Sequence, residues 1–350
     1  MFMKPMQTTT HVPTQWVGPI HFCRMQFLDH QTHSVELEAP IATYETTLFH
    51  SVNRGARITR LSQSLKTTVI SDTMTRSLLF EAQDASMANT VRLMLQEKKD
   101  DYQKIISQSS RYAILEHIDT KVVSQLLYVR FSFKTGLASG HNMATFAADE
   151  IADAILNAFP KLRYVSVSGN YCVDKKTSAV NAILGRGKHV VAEMMISRKI
   201  LKDVLRTTPE QMVDLNIKKN LLGSIAAGSL LSANAHYANM LLAFYIATGQ
   251  DGANVVEGSQ GITYCEVKDD ALYFSVTLPN IIVGTVGHGK HNQAMKDVFK
   301  HMDCLDTDGS EKLAQIAAGL VLCGELSLLA ALTNPKELTK SHKNIERKTT

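Results

Sequence analysis

An uncharged segment, Leu221–Gly249, constrains the fold more than any other feature of the chain, because it contains no Asp, Glu, Lys or Arg. Such a segment belongs either in a membrane or in a large protein core. Ser232, Asn234 and His236 interrupt it, and polar side chains of this kind are costly in hydrocarbon. The segment therefore predicts a buried helix in the large core of a soluble protein.

Composition excludes several other classes of protein. The 350 residues are 45% hydrophobic and 20% charged, so the chain can bury a large core and suffices for roughly two domains. The net charge of +4 is mild, and no Lys/Arg run is interleaved with aromatic residues, so neither nucleic acid nor a membrane is an expected partner. Five scattered cysteines without a C-x-x-C pair argue against a disulfide framework or a metal site and favour the cytoplasm.

The pattern of apolar residues predicts an α+β fold with helices dominant in the larger part. Alternation predicts strands at Leu126–Phe133, Tyr164–Ser168 and Leu272–Val283. Long helical stretches are predicted at Gly185–Arg206, Val213–Gly249 and Glu311–Leu332. Residues 78–166 form a βα-rich unit with no linker on either side, which predicts a small domain inserted into a large one made of residues 1–77 and 167–350.

Two glycine-rich segments resemble phosphate-binding loops. Gly284–His291 follows a strand and fits G-x-x-x-x-G-K, but His291 stands where a magnesium-binding hydroxyl is needed. A nucleotide triphosphatase is therefore one alternative function. Gly136–Met143 lies between a strand and a helix, where backbone N–H groups can cradle an anion or pyrophosphate; a plain strand-to-helix turn is the alternative.

Four further sites carry charged or titratable side chains that could bind a ligand or transfer a proton. The segment 168–176 (SGNYCVDKK) is predicted to end a strand and open a helix, with two lysines that suit an anionic ligand or, equally, an exposed ion pair. Glu45 stands in an apolar stretch that would bury its carboxyl and raise its pKa, as a general acid requires; a surface glutamate is the alternative. Asp251 follows a helical run in a loop, and His342 is predicted on a tail beyond the last strong helix.

Together these motifs carry a family resemblance. In order, the chain contains Glu45, SGNYCVDKK (168–176), NAHYAN (234–239), YIATGQD (245–251), GTVGHG (284–289), GELSLLAAL (324–332) and KSH (340–342). This order resembles the hydroxymethylglutaryl-coenzyme A (HMG-CoA) reductases, from about Val17 to His342. The DKK spacing looks like the eukaryote-type catalytic loop, and the absence of a membrane region is similar to the bacterial members.

The resemblance implies an activity, an architecture and a set of site residues. The activity is reduction of HMG-CoA to mevalonate and CoA with NADPH, in a homodimer or larger oligomer whose active sites are shared between subunits. A large domain would bind CoA, and an inserted, ferredoxin-like domain of non-Rossmann type would bind the cofactor. The implied catalytic residues are Glu45, Lys175, Asp251 and His342. The implied substrate-binding residues are Arg76, Ser168, Asp174, Lys176 and Asn239. The implied cofactor-binding residues are Ser110, Arg111, Gly136, Ser139, Gly140 and Asn142, with Ser110 and Arg111 anchoring a 2′-phosphate.

Three features depart from the family pattern. Leu137 replaces an aspartate of the cofactor loop and cannot accept a hydrogen bond through its side chain, His288 replaces a glycine, and the usual E-N-x-I-G segment is not recognisable. These departures predict weaker contacts with the cofactor and with CoA. A homologue that binds CoA ligands without effective turnover is therefore a second alternative.

Overall fold

The computed structural model describes residues 20–28, 34–287, 290 and 292–346, and only the backbone at 341, 342 and 344–346. Nine strands lie in this part of the chain: β1 (Ile20–Leu28), β2 (Ser34–Ala42), β3 (Lys66–Glu81), β4 (Ile114–Val123), β5 (Leu126–Lys134), β6 (Arg163–Ser166), β7 (Gly187–Ser197), β8 (Ile262–Lys268) and β9 (Ala271–Ile281).

Helices connect and cover these strands. In the described residues they are α1 (Thr46–Ser62), α2 (Ala85–Glu97), α3 (Lys99–Ser109), α4 (His141–Ala158), α5 (Ala179–Leu184), α6 (Arg198–Ile200), α7 (Pro209–Leu215), α8 (Gly223–Ala226), α9 (Tyr237–Ala247), α10 (Val255–Gly258), α11 (Gln293–His301), α12 (Gly309–Leu332) and α13 (Glu337–Glu346). Short π-helical segments follow α6 and α7, and a 3₁₀ turn precedes α10. The mixture of helix and antiparallel sheet confirms the predicted α+β class.

One long strand joins the two halves of the main sheet. The strand order is β4-β5-β3-β7-β9-β8, with β6 also paired to β3, and every pairing is antiparallel. The first half of β3 (Lys66–Thr73) pairs with β7, whereas its second half (Met74–Glu81) pairs with β5. β1 and β2 form a separate two-stranded sheet.

The buried apolar residues form two clusters on either side of this junction. The larger cluster surrounds α12 and includes side chains of α1, α9, β7 and β9. The smaller cluster packs α2 and α4 on β3, β4 and β5, between Met74 and Leu162, with Ile282 added from the end of β9. Each cluster therefore draws on its own stretch of the chain, and β3 belongs to both.

The helix at the centre of the larger core is α12. It is the one helix in the described residues long and apolar enough to cross a membrane, and 89% of its most apolar stretch is buried inside the protein. Gly55 of α1 lets the two helices touch, because a Cβ there would lie 2.0 Å from the carbonyl oxygen of Cys323. α12 is thus a core helix, and the prediction for Glu311–Leu332 is confirmed.

Two helix predictions were wrong. Half of Gly185–Arg206 is strand β7, because its β-branched residues pack between β3 and β9 in the sheet, and helix begins only at Arg198. Leu221–Gly249 is not one buried helix: Ala227–His236 is irregular, Gly228 has a φ of +73°, and only α9 is helical and deeply packed. The predicted strands Leu126–Phe133 and Leu272–Val283 are confirmed as β5 and β9.

Candidate active site

Seven of the fifteen predicted site residues line one cavity of about 650 Å³, which we call the Lys175 pocket. Three loops build it: the turn 168–178, the segment after α9, and the glycine-rich loop before α4. Its lining includes Arg76, Ser139, Gly140, Asn142, Asp174, Lys175 and Asp251. These seven residues come from four separate segments of the sequence, which meet in the structure.

An ion pair forms the centre of this pocket. Lys175 Nζ lies 2.7 Å from Asp251 Oδ2, and the hydrogen bond to Asp251 raises the pKa of Lys175. Burial is the largest single effect and acts to raise the pKa of Asp251, but the hydrogen bonds from Lys175 and from the backbone N–H of Ala253, together with the charge of Lys175, lower it overall. Both groups are therefore held in their charged forms, with the ammonium at the cavity.

The turn that carries Lys175 has an unusual backbone. Asn170, Val173 and Lys175 all have a positive φ, which is unfavourable for residues with a side chain. The prediction that 168–176 opens a helix was therefore wrong, and α5 begins only at Ala179. Ser168 and Lys176 are exposed, and Lys176 Nζ donates to the carbonyl oxygen of Asp174 at 3.1 Å.

The glycine-rich loop forms the opposite wall. Gly140 precedes α4 with a φ of +88°, and no side chain caps the N–H groups of the first turn. The loop is held from behind: Thr285 N–H donates to the carbonyl oxygen of Leu137 at 2.9 Å. Gly284 permits this contact, because a Cβ there would lie 2.4 Å from the Ser139 nitrogen. The free N–H groups at this helix N-terminus suit an anion.

Two residues of the Lys175 pocket were missed by the sequence analysis, although both lie in segments that it singled out. His141 is the first residue of α4, and burial lowers its pKa to about 4. Lys290, in the segment that resembles a phosphate loop, is mostly buried in the same cavity, and burial lowers its pKa. His288 and His291 lie outside the described residues.

Glu45 and Asn239 line a different cavity, the Glu45 pocket, together with His50, Arg54, His236 and Leu338. Buried Glu325 of α12 shapes it by accepting hydrogen bonds from the backbone N–H groups of Ala235 and His236, at 3.0 Å and 2.6 Å. Glu45 itself is exposed at the start of α1, so the prediction of a buried carboxyl was wrong.

The two pockets lie at opposite ends of one helix. Asn239 is in the first turn of α9, and Asp251 follows its last turn. Eleven residues of α-helix extend about 16 Å, so one chain keeps Asn239 well away from Asp251.

The remaining predicted cofactor residues lie around the glycine-rich loop. Arg111 and Gly136 line a cavity with Lys134 and Asp72, and the Arg111 guanidinium lies over the Tyr112 ring at 4.8 Å. Ser110 lines a separate cavity that also contains Asp149, Glu150 and Asp153 of α4. His342 belongs by its backbone to α13, which follows the long helix α12; its side chain is outside the described residues.

Comparisons with known proteins agree with this geometry. The sequence matches the family model described as hydroxymethylglutaryl-coenzyme A reductase over residues 8–347. The 3-hydroxy-3-methylglutaryl-coenzyme A reductase of Pyrococcus horikoshii is 44% identical over 319 residues, which cover 89% of this chain and 77% of that one. The reductase of Methanocaldococcus jannaschii is 38% identical, with 96% and 82% covered.

Solved structures show the same fold. The class II 3-hydroxy-3-methylglutaryl-CoA reductase of Streptococcus pneumoniae, bound to NADPH in open conformations, superposes with a TM-score of 0.72 at 18% identity, covering 90% of this chain and 85% of that one. Fold and pockets together define an α+β enzyme with a lysine–aspartate pair at its centre. The chain belongs to the hydroxymethylglutaryl-coenzyme A reductase family.

His141 gives a testable dependence of stability on pH. The unfolded chain binds a proton on this histidine near pH 6.5, whereas the folded protein binds it only near pH 4, so stability contributed by the neutral ring is lost as the pH falls between these values. As the pH falls from about 7 to about 5, the unfolding free energy of the wild type should therefore fall by about 1–2 kcal/mol more than that of His141→Gln. Urea denaturation at each pH measures this difference. Exposed His117→Gln is the matched control and should follow the wild type. Parallel losses in all three proteins would contradict the assignment.

Proposed function

We infer that this protein catalyses the NADPH-dependent reduction of HMG-CoA to mevalonate and CoA. The single observation that carries the inference is the Lys175–Asp251 ion pair, set at 2.7 Å in a cavity whose other wall is an uncapped helix N-terminus. Family membership supports it over the whole length of the chain, and leaves no support for the nucleotide triphosphatase.

The residues present fit a dinucleotide phosphate. The uncapped first turn of α4 offers backbone N–H groups to a pyrophosphate, and Ser139 and Asn142 line the same cavity. Arg111, in the neighbouring cavity with Gly136, can pair with a 2′-phosphate, and Ser110 stands beside it in the sequence. When bound, each NADPH supplies one hydride, and the reaction consumes two NADPH molecules.

Lys175 is the residue suited to the developing charge. Each hydride addition places negative charge on the same substrate oxygen, and the ammonium of Lys175, held protonated by Asp251, can stabilise it. Glu45 donates a proton to that oxygen. Arg76, Ser168, Asp174, Lys176 and Asn239 hold the hydroxymethylglutaryl part.

The reaction then proceeds in three chemical steps. The thioester carbonyl takes one hydride and one proton and becomes a hemithioacetal. Its carbon–sulfur bond breaks as the hydroxyl returns its proton to Glu45, giving mevaldehyde and a CoA thiolate that is protonated by His342. The aldehyde takes the second hydride and a proton from Glu45, which gives the alcohol of mevalonate.

Two domains divide this work. Residues 78–166 begin at the end of β3 and finish at β6. Their element order is β3-α2-α3-β4-β5-α4-β6, and their strand order is β6-β3-β5-β4. That arrangement is typical of ferredoxin-like folds, and the unit has its own apolar cluster. It carries Ser110, Arg111 and the glycine-rich loop, so we assign it the cofactor, and residues 1–77 with 167–350 the CoA substrate and the dimer contacts.

A homodimer completes the active site. Because Glu45 and Asn239 are separated from Lys175 and Asp251 along α9, the reaction needs the Glu45 pocket of one chain against the Lys175 pocket of another. Large apolar side chains are exposed on this helix (Leu242 and Ile246) and on α10, which packs against it (Val256), and this supports a covering subunit.

Turnover tests the function directly. The wild type should oxidise two NADPH for each CoA released from HMG-CoA, followed by absorbance and by thiol titration. Lys175→Ala should lower kcat by on the order of 10²–10³, because it removes the cation that faces the developing oxyanion, while the melting temperature stays near that of the wild type. Ligand binding without turnover in the wild type would favour the homologue without effective catalysis, and a normal kcat in Lys175→Ala would remove Lys175 from the reaction.

Cofactor choice tests the role of Arg111. Arg111→Ala should raise the KM for NADPH at least about tenfold and leave the KM for NADH nearly unchanged, because only NADPH carries a phosphate dianion to pair with the guanidinium. Steady-state kinetics with both cofactors measure the ratio. Equal changes for both cofactors would withdraw Arg111 from phosphate recognition.

A further inference from the structure

Beneath the Lys175 pocket, a fully buried arginine bridges two carboxylates. Arg186 and Glu257 both have no exposed side-chain surface, and Arg186 Nη1 lies 2.7 Å from Glu257 Oε1. The other end of the guanidinium, Nη2, lies 2.9 Å from Asp174 Oδ1, in the turn that carries Lys175. Arg186 precedes β7, and Glu257 lies in α10, so two rigid parts of the large core meet under one flexible turn.

Stability alone does not account for this pair. Desolvating two charges costs several kcal/mol, and well-packed apolar side chains in their place are often as stable or more stable. Burial raises the pKa of Glu257 to about 7, against the opposing effect of Arg186, which reflects the same cost. A charged pair placed here at such a cost calls for a role in specificity or positioning.

The turn above needs to be held in place. Asn170, Val173 and Lys175 each occupy the left-handed region, which is unfavourable for residues with a side chain, least so for asparagine. Three contacts hold the backbone from below: Asn181 Nδ2 donates to the Val173 carbonyl oxygen at 2.9 Å, Arg186 contacts Asp174, and the backbone N–H of Lys175 faces the Glu257 carboxylate. From the pocket side, Asp174 has only longer contacts, 3.9 Å to Arg76 and 3.7 Å to His141.

We propose that Arg186 and Glu257 are positioning residues for the reduction: they fix the backbone of Asp174 and Lys175 so that the Lys175 ammonium meets Asp251. The inference rests on the proposed function for its catalytic meaning, but the position of Lys175 can be measured without turnover. Arg186 suits this task because its planar fork reaches two carboxylates at once, whereas the single ammonium of a lysine cannot.

The test measures the reactivity of the Lys175 amine directly. The rate at which Lys175 is acylated by an amine-reactive ester, followed by peptide mass spectrometry across a pH series, reports its pKa. In the wild type Asp251 holds that pKa above the ordinary lysine value. Arg186→Lys and Glu257→Gln should release the turn, so that Lys175 leaves Asp251 and its pKa falls. At a pH below the wild-type pKa, Lys175 should then be acylated several-fold faster, up to about tenfold if the pKa falls by one unit.

A matched buried pair provides the control. Lys188 of β7 is 2% exposed, and its Nζ lies 3.1 Å from Asp72, but it does not touch the turn. Lys188→Met should lower the melting temperature as a lost buried pair does, yet leave acylation of Lys175 as in the wild type. This separates positioning from a general loss of stability.

Kinetics supply the second readout. Both variants should lower kcat at least about tenfold with the KM for NADPH within about twofold of the wild type, because the glycine-rich loop is held by other contacts. Unchanged acylation of Lys175 in folded Glu257→Gln, the nearly isosteric variant, would overturn the proposal. If the wild-type protein did not reduce HMG-CoA, the acylation result would still stand, and the failure would fall on the function alone.

Discussion

The ion pair between Lys175 and Asp251 is the interaction on which the rest of the site depends. Lys175 comes from a turn with three left-handed residues, and Asp251 from the segment that ends α9. To bring them to 2.7 Å, the fold anchors one side through Arg186 and Glu257 and the other through the packing of α9 in the larger core. The pair keeps the lysine protonated. In the proposed reaction this ammonium meets the substrate oxygen as it becomes negative, which would link core packing to chemistry.

The length of α9 is the second constraint. It separates Glu45 and Asn239 from the lysine–aspartate pair, so acid and cation lie in different cavities of one chain. The same helix has apolar residues on its exposed side, Leu242 and Ile246, which is unusual for a helix that faces only water. The homodimer proposed above, with a second subunit seated against α9, would account for both the separation of the pockets and the exposure of this face.

The sequence predicted the parts of this protein that are set by local chemistry. The α+β class, the core helix Glu311–Leu332, the strands β5 and β9 and seven residues of the Lys175 pocket followed from periodicity and from long motifs. It failed where tertiary contacts decide. Strand β7 was taken for helix because its pairing with β3 and β9 is non-local, and the exposure of Glu45 depends on how α1 begins. The Arg186 bridge joins residues separated by as many as 71 positions, for which no spacing rule exists.

Complementation between subunits tests the central claim, that each active site combines Glu45 of one chain with Lys175 of another. Glu45→Gln and Lys175→Ala would each be purified as nearly inactive protein, then mixed, dissociated and reassociated. If sites are shared, half of the dimers are mixed and one of their two sites carries both native residues, so activity should rise to roughly a quarter of the wild-type value. If the mixture stays as inactive as its two parents although mixed dimers are present, Glu45 and Lys175 act within one chain and the account is wrong.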